Sequence, residues 1–155
     1  MAKAFDPTSK AVPPIDTRFR RIVSAIPAPG SVETLRALQR YEPVSMTGQP
    51  PIVWDRAEGF QVCDAYGNLR PDWISGVVAG LHLVHPGGKE PDGDLAFAVV
   101  EKAFQKGLLL FVPVGFGGAT VTVAPPLKIT SDAVREGLAV LKEAIAETMA
   151  SPVPS

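Results

Sequence analysis

An α+β fold, with helices on one face of a mostly antiparallel or mixed sheet, follows from three observations on this sequence of 155 residues. Short β-branched and aromatic runs succeed one another between Gly- and Pro-rich turns. Later segments, after Asp92 and after Thr130, repeat apolar residues at helical spacing. The strand-like runs outnumber the helical ones and bracket them singly, which is the α+β pattern. With 46% hydrophobic residues, the chain can bury a core without metal or disulfide staples. No repeat or interdomain linker appears, so residues 31–149 are expected to form a single domain, between a flexible arm over 1–30 and a loose tail over 150–155.

Lys and Arg number 15, Asp and Glu 16, and the net charge of -1 gives no electrostatic reason for nucleic acid or an anionic membrane as partner. Cys63 is the only cysteine, which excludes an intrachain disulfide and fits a buried, inert thiol. The start of the sequence lacks a secretory signal pattern and no apolar run is long enough to span a bilayer, so a soluble, cytoplasmic protein is expected.

In chain order, Met1 to Pro29 is rich in Pro, Lys and Arg, and the basic Arg18-Phe19-Arg20-Arg21 reads as a solvated arm. Ser31 is placed to cap a helix through Tyr41, with Val32, Leu35 and Leu38 on one face. Ile52-Val53-Trp54 and Gly59 to Asp64 read as strands of an antiparallel meander, with a turn at Tyr66-Gly67-Asn68. The run Asp72 to Val84 carries no charge after Asp72 and reads as a buried strand with two glycines, Gly76 and Gly80. Gly76 is the expected turning point, and Ala79 to Val84 the next strand.

Beyond the loop His85 to Pro91, Asp92 caps a helix whose apolar face is Ala96, Val99, Val100, Ala103 and Phe104, and Gly107 ends it. Leu108 to Val112 is expected as a continuous apolar strand, permitting one parallel pair. The glycine-rich Gly115 to Gly118 leads into a strand from Thr120 to Ala124, unlike a phosphate cradle, which leads into a helix. The last helix opens at Thr130 or Ser131, with Val134, Leu138, Leu141 and Ile145 on its apolar face.

Neither a catalytic constellation nor a metal site emerges from the residue types. The only histidines, His82 and His85, point to opposite sides of an extended chain. Glu90, Asp92 and Asp94 lack calcium-loop spacing, and helix capping accounts for the two aspartates better.

Two stretches nevertheless carry a resemblance. The first runs from Pro51-Ile52-Val53-Trp54-Asp55 to Tyr66-Gly67-Asn68 and ends in Asp72-Trp73-Ile74-Ser75-Gly76-Val77. The second is an ordered set: Gly80-Leu81-His82-Leu83-Val84, Lys106-Gly107-Leu108-Leu109-Leu110, Val123-Ala124-Pro125-Pro126-Leu127, Ile129-Thr130 and Glu136-Gly137-Leu138. Together they resemble the class III, or omega, aminotransferases, pyridoxal phosphate enzymes of the 4-aminobutyrate and ornithine type. In that family the two stretches flank a large domain that supplies the phosphate-binding turn, the acid paired with the pyridine nitrogen, and the aldimine lysine. Here the chain passes directly from Gly76 to Val78. The resemblance therefore implies the small domain of a fold-type I aminotransferase, its two parts joined at a seam near 76–78 and its cofactor domain absent.

Lys89, Lys102, Lys106, Lys128 and Lys142 do not match the aldimine motif, and Thr122 stands where the family often has its substrate-carboxylate arginine. Arg70 and Pro71 also depart from the pair expected before Asp72. The resemblance leaves Ser75, Gly76 and Val77, with Phe116, Gly117 and Gly118, as a vestigial substrate loop. It implies no catalytic, cofactor-binding or metal residues, and binding of pyridoxal phosphate is not expected. Three functions remain open: a catalytically inactive aminotransferase-like protein; an oligomerisation or interaction module pairing with itself or with a full-length aminotransferase; and a small ligand-binding domain or enzyme with a new site at the seam, framed by Trp54, Trp73, His82 and His85.

Overall fold

The chain's computed structural model describes residues 5–41, 50–73 and 78–150. Strands β1 (Ile15–Asp16), β2 (Arg21–Ile22), β3 (Trp54–Glu58), β4 (Gln61–Asp64) and β5 (Leu69–Pro71) form an antiparallel sheet in the order β1-β2-β5-β4-β3. A second sheet is an antiparallel ribbon of β6 (Ala79–His82) and β7 (Thr120–Val123). Helices α1 (Val32–Tyr41), α2 (Gly93–Gln105) and α3 (Ser131–Ala150) complete an α+β arrangement.

The stretch expected to be an unpacked arm contributes two strands. Phe5, Phe19, Ile22 and Ile26 are buried, and the Lys10 and Ile26 backbones exchange hydrogen bonds of 2.9 Å in both directions. Its prolines delimit short extended pieces, and the apolar residues between them supply the burial that composition alone hides. Ser31 departs from expectation too. It ends a short 3-10 turn over Pro29–Ser31, and its hydroxyl donates back to the Ala28 carbonyl at 2.7 Å.

Helix α2 buries the face its spacing predicts, Ala96, Val99, Val100, Ala103 and Phe104. Asp92 caps it, accepting from the Leu95 amide at 2.8 Å. At its other end Gly107 takes φ +79°, and the Leu108 amide reaches back to the Ala103 carbonyl at 2.9 Å, closing the helix in a Schellman motif. Helix α3 is capped by the Thr130 hydroxyl at 3.3 Å from the Ala133 amide. Its buried stripe is Ala133, Gly137, Val140, Leu141, Ala144 and Thr148, while Leu138 is exposed. Small residues face inward because the Trp73 indole lies across Gly137, where any Cβ would run into the ring.

Two apolar clusters make the core. One gathers Trp73, Val99, Val100, Leu108, Leu110, Val121 and Leu141 between α2, α3 and β7; the other holds Ile22, Ile26, Val62, Phe104 and Leu109 against the five-stranded sheet. Leu108 to Val112, expected as a strand, is extended without a ladder. Its hydrogen bonding to the chain beside it is an isolated parallel bridge, with the Trp73 amide donating to Leu109 at 3.2 Å. Alternation sends Leu108 and Leu110 into one cluster and Leu109 into the other. Burying each leucine contributes roughly 1.5–3 kcal/mol over leaving it exposed.

The largest departure concerns the run read as a buried strand. Every residue of β6 is exposed, with Leu81 at 41% and the preceding Val78 at 71%. An uncharged run signals burial on both sides, yet the described elements cover neither side of β6. The proposed turning point at Gly76 lies outside the described residues.

Candidate functional site

Three places bring polar or reactive side chains together. The most enclosed is the turn between β4 and β5. Asp64 Oδ1 accepts from the Tyr66 and Asn68 amides, both at 3.0 Å, and its Oδ2 accepts from Asn68 Nδ2 at 2.8 Å. Asn68 also reaches the first strands, its Oδ1 accepting from the Val23 amide at 2.9 Å and its Nδ2 donating to Ser24 Oγ at 2.8 Å. Arg70 is 1% exposed; its Nη1 stands 3.5 Å from Asp64 Oδ2, and its guanidinium lies over the Phe104 ring at 5.2 Å. Burial pushes the Arg70 pKa down and the Asp64 carboxylate opposes that shift. Its Nε has no hydrogen-bond partner. With Asn68 and Arg70 both sealed from solvent, the cluster pins the first strands to the meander and offers no substrate access. Cys63 beside it is buried, as expected, with Sγ 3.3 Å from the Asp64 carbonyl.

The second place is a cavity of about 480 Å³ between the 11–15 segment and helices α2 and α3, lined by Val12, Ile15, Arg20, Lys102, Lys106 and Glu143 among others. Arg20 donates from Nε to Glu136 and from Nη1 to the Lys106 carbonyl, both at 2.7 Å. Lys106 Nζ is 2.6 Å from Glu147 and 3.3 Å from Glu143. The Glu147 hydrogen bond holds the Lys106 ammonium above its ordinary pKa, and Lys106 in turn holds the Glu147 carboxyl below its own. A lysine that forms an aldimine needs the opposite shift, toward the free amine. Arg20 and Lys106 are moreover each paired with carboxylates, so the residues of this cavity do not fit the phosphate of pyridoxal phosphate. Arg20 and Glu136 are 116 residues apart, so no local sequence signal joins them.

The third place is the ribbon and its surroundings. Phe116, Gly117 and Gly118 form a short 3-10 turn before β7, with Phe116 81% exposed. This turn sits against the start of α2, where the Gly117 carbonyl leaves no room for a side chain on Gly93. Ser75, Gly76 and Val77 lie outside the described residues. His82 Nδ1 is 3.0 Å from Thr120 Oγ1 on the neighbouring strand, while His85 Nδ1 is 3.1 Å from Asp92 Oδ2. The histidines thus have separate partners. Trp73 is fully buried and Trp54 is half exposed on β3, so the four residues expected to frame a pocket at the seam are not brought together as one lining.

On β7 one residue of the four is buried. Val121 is buried in the helix-side core while Thr120 and Thr122 are half-buried, and β6 continues this ribbon outward with all its residues exposed.

Among the described residues, no group of three or more His, Cys, Asp and Glu side chains is placed to hold a metal ion. No described helix is long and apolar enough to cross a membrane. In comparisons with known proteins, no family model matches the chain and no curated protein matches it.

Proposed function

We propose that the chain is a class III aminotransferase-like module that is catalytically inactive on its own and acts by associating with another protein chain. The sequence resemblance supports the family, and the α+β arrangement is compatible with that family's small domain. Association rests on one observation: β6, an uncharged strand whose composition calls for burial, has every residue exposed. Pyridoxal phosphate, nucleic acid and membranes are not ligands in this reading, and the setting is the cytoplasm.

Two measurements test it. Pure protein mixed with pyridoxal phosphate and an amino donor is expected to give no aldimine absorbance; a lysine-dependent band with turnover would overturn the inactivity. Light scattering of the chain, alone and with a full-length class III aminotransferase, is expected to reveal a complex in at least one case. A monomer that binds neither itself nor the relative would overturn association. The cavity beside Arg20 and Lys106 favours a second reading as a ligand-binding domain. Metabolite screening by thermal shift, with no compound raising the melting temperature, would remove it.

A further inference from the structure

On the reading that this module acts by association, we infer that β6 is completed by β6 of a second copy. The two strands add antiparallel along their outer edges, giving a four-stranded sheet β7-β6-β6-β7 across a two-fold axis. The backbone fixes which groups are offered. The Leu83 amide donates to the Ala119 carbonyl at 2.8 Å, and the same register pairs Leu81 with Val121 and Ala79 with Val123. In an antiparallel ladder, alternate residues bond to the same side, so residues 79 and 81 are committed to β7 and Leu83, on the same side, to the Ala119 carbonyl and the Asp92 amide. The amides and carbonyls of Gly80 and His82 therefore point away from β7. Among the described residues no strand lies along that edge.

The sequence on this edge fits its own reverse. If Gly80 exchanges hydrogen bonds with His82 of the second copy, Leu81 falls opposite Leu81, Ala79 opposite Leu83 and Val78 opposite Val84. Gly meets His once on each side of the axis, and every other pair is apolar on apolar. No charge occurs from residue 78 to residue 84, so this register sets no like charges against each other. The central Leu81 pair is a non-hydrogen-bonded one, where side chains approach closest, so each Leu81 shields the other from water. The contact is isologous, as a closed dimer requires. A partner strand of different sequence would need to be equally free of charge in the same register; a second copy meets that condition by construction.

The test is sedimentation of the full chain from about 1 μM to about 1 mM, the range of micromolar to millimolar dissociation constants. The mass is expected to rise from monomer to dimer with concentration. Leu81→Lys, which sets two ammonium groups opposite each other, is expected to weaken the dimer at least tenfold. His82→Pro deletes an outward N–H from each copy and leaves the ladder with β7 intact, so a comparable loss is expected. Far-UV circular dichroism and melting temperature near those of the parent show that each variant is folded. Met149→Lys, at an exposed position on α3, is expected to leave the dimer unchanged. A parent that stays monomeric at 1 mM, or a dimer that both β6 variants leave unaltered, overturns the inference. In the second case association itself survives through another surface. A monomer that binds a full-length class III aminotransferase likewise removes the second copy as partner while the wider proposal stands, whereas one that binds neither removes both.

Discussion

Strands β3 and β6 are both exposed along their whole length, and each ends its sheet, yet they are built in opposite ways. β3 reads Trp54-Asp55-Arg56-Ala57-Glu58, with three charged residues, and its register with β4 slips between Trp54 and Arg56. Charge and a bulge are the devices by which sheet edges resist pairing with another chain. β6 has neither: it reads Ala79-Gly80-Leu81-His82, in unbroken register with β7. The same chain therefore protects one edge and leaves the other open, and the open edge is the one next to the proposed seam.

This contrast can be broken most severely at the place that joins its two halves. Trp73 is fully buried in the helix-side cluster and bonds Leu109 through its amide. Trp73→Ala is expected to destabilise the fold by about 3–5 kcal/mol, measured by urea denaturation, with both sheets losing structure together. Next comes the cluster that anchors the five-stranded sheet. Asp64→Ala leaves Arg70 buried without its carboxylate, an expected loss of about 3 kcal/mol. Arg70→Met leaves Asp64 with its amide donors, so its cost is expected to be at most about 2 kcal/mol. The reverse order in paired urea titrations would mean that the guanidinium, not the carboxylate, organises the turn.

Stripping the protected edge sharpens the comparison at lower energetic cost. Arg56→Val with Glu58→Val is expected to change stability by only about 0.5 kcal/mol, since both positions are exposed. Light scattering of this variant is expected to reveal association beyond that of the parent.

The smallest effect belongs to Lys106 and Glu147. The lowered Glu147 pKa contributes stability that is present above its unfolded value and lost as pH falls through the folded one. The raised Lys106 pKa contributes stability that is present below its unfolded value and lost as pH rises through the folded one. Their joint contribution is thus a plateau from about pH 5 to about pH 10, of under about 1 kcal/mol at this partly exposed site. Urea midpoints across pH are expected to flatten at both ends in Glu147→Gln.

Much of the fold was legible where local pattern and tertiary burial agree. The face of α2, its Asp92 cap and its Gly107 stop are local features, and they stand as read. On α3 the period was right and the face partly so: Leu141 is buried and Ile145 packs on the core, but Leu138 is exposed because shape required Gly137 under the Trp73 ring. The first thirty residues misled because prolines count against helices and long strands but leave room for two-residue strands between them, the edge strand β1 and the interior strand β2. At the candidate sites, Asp64 read as the end of a strand, Asn68 as part of a turn and Arg70 as a departure from the family pattern; what joins them into a buried cluster is distant in sequence, Val23 and Ser24 on Asn68 and the Phe104 ring against Arg70. β6 was legible as a strand and illegible as an exposed one, since composition records only that burial is favourable and not whether a covering element exists.

The alternation of Leu108, Leu109 and Leu110 between the two clusters also governs how the molecule comes apart. A segment whose successive side chains are shared by both clusters cannot be released by one without uncovering surface in the other. Partial opening of either half alone would then strand a fully buried leucine in water. The two sheets accordingly form one cooperative unit: the slowest-exchanging amides, Trp73 among them, are expected to exchange only through global unfolding, as a single free energy read by hydrogen–deuterium exchange.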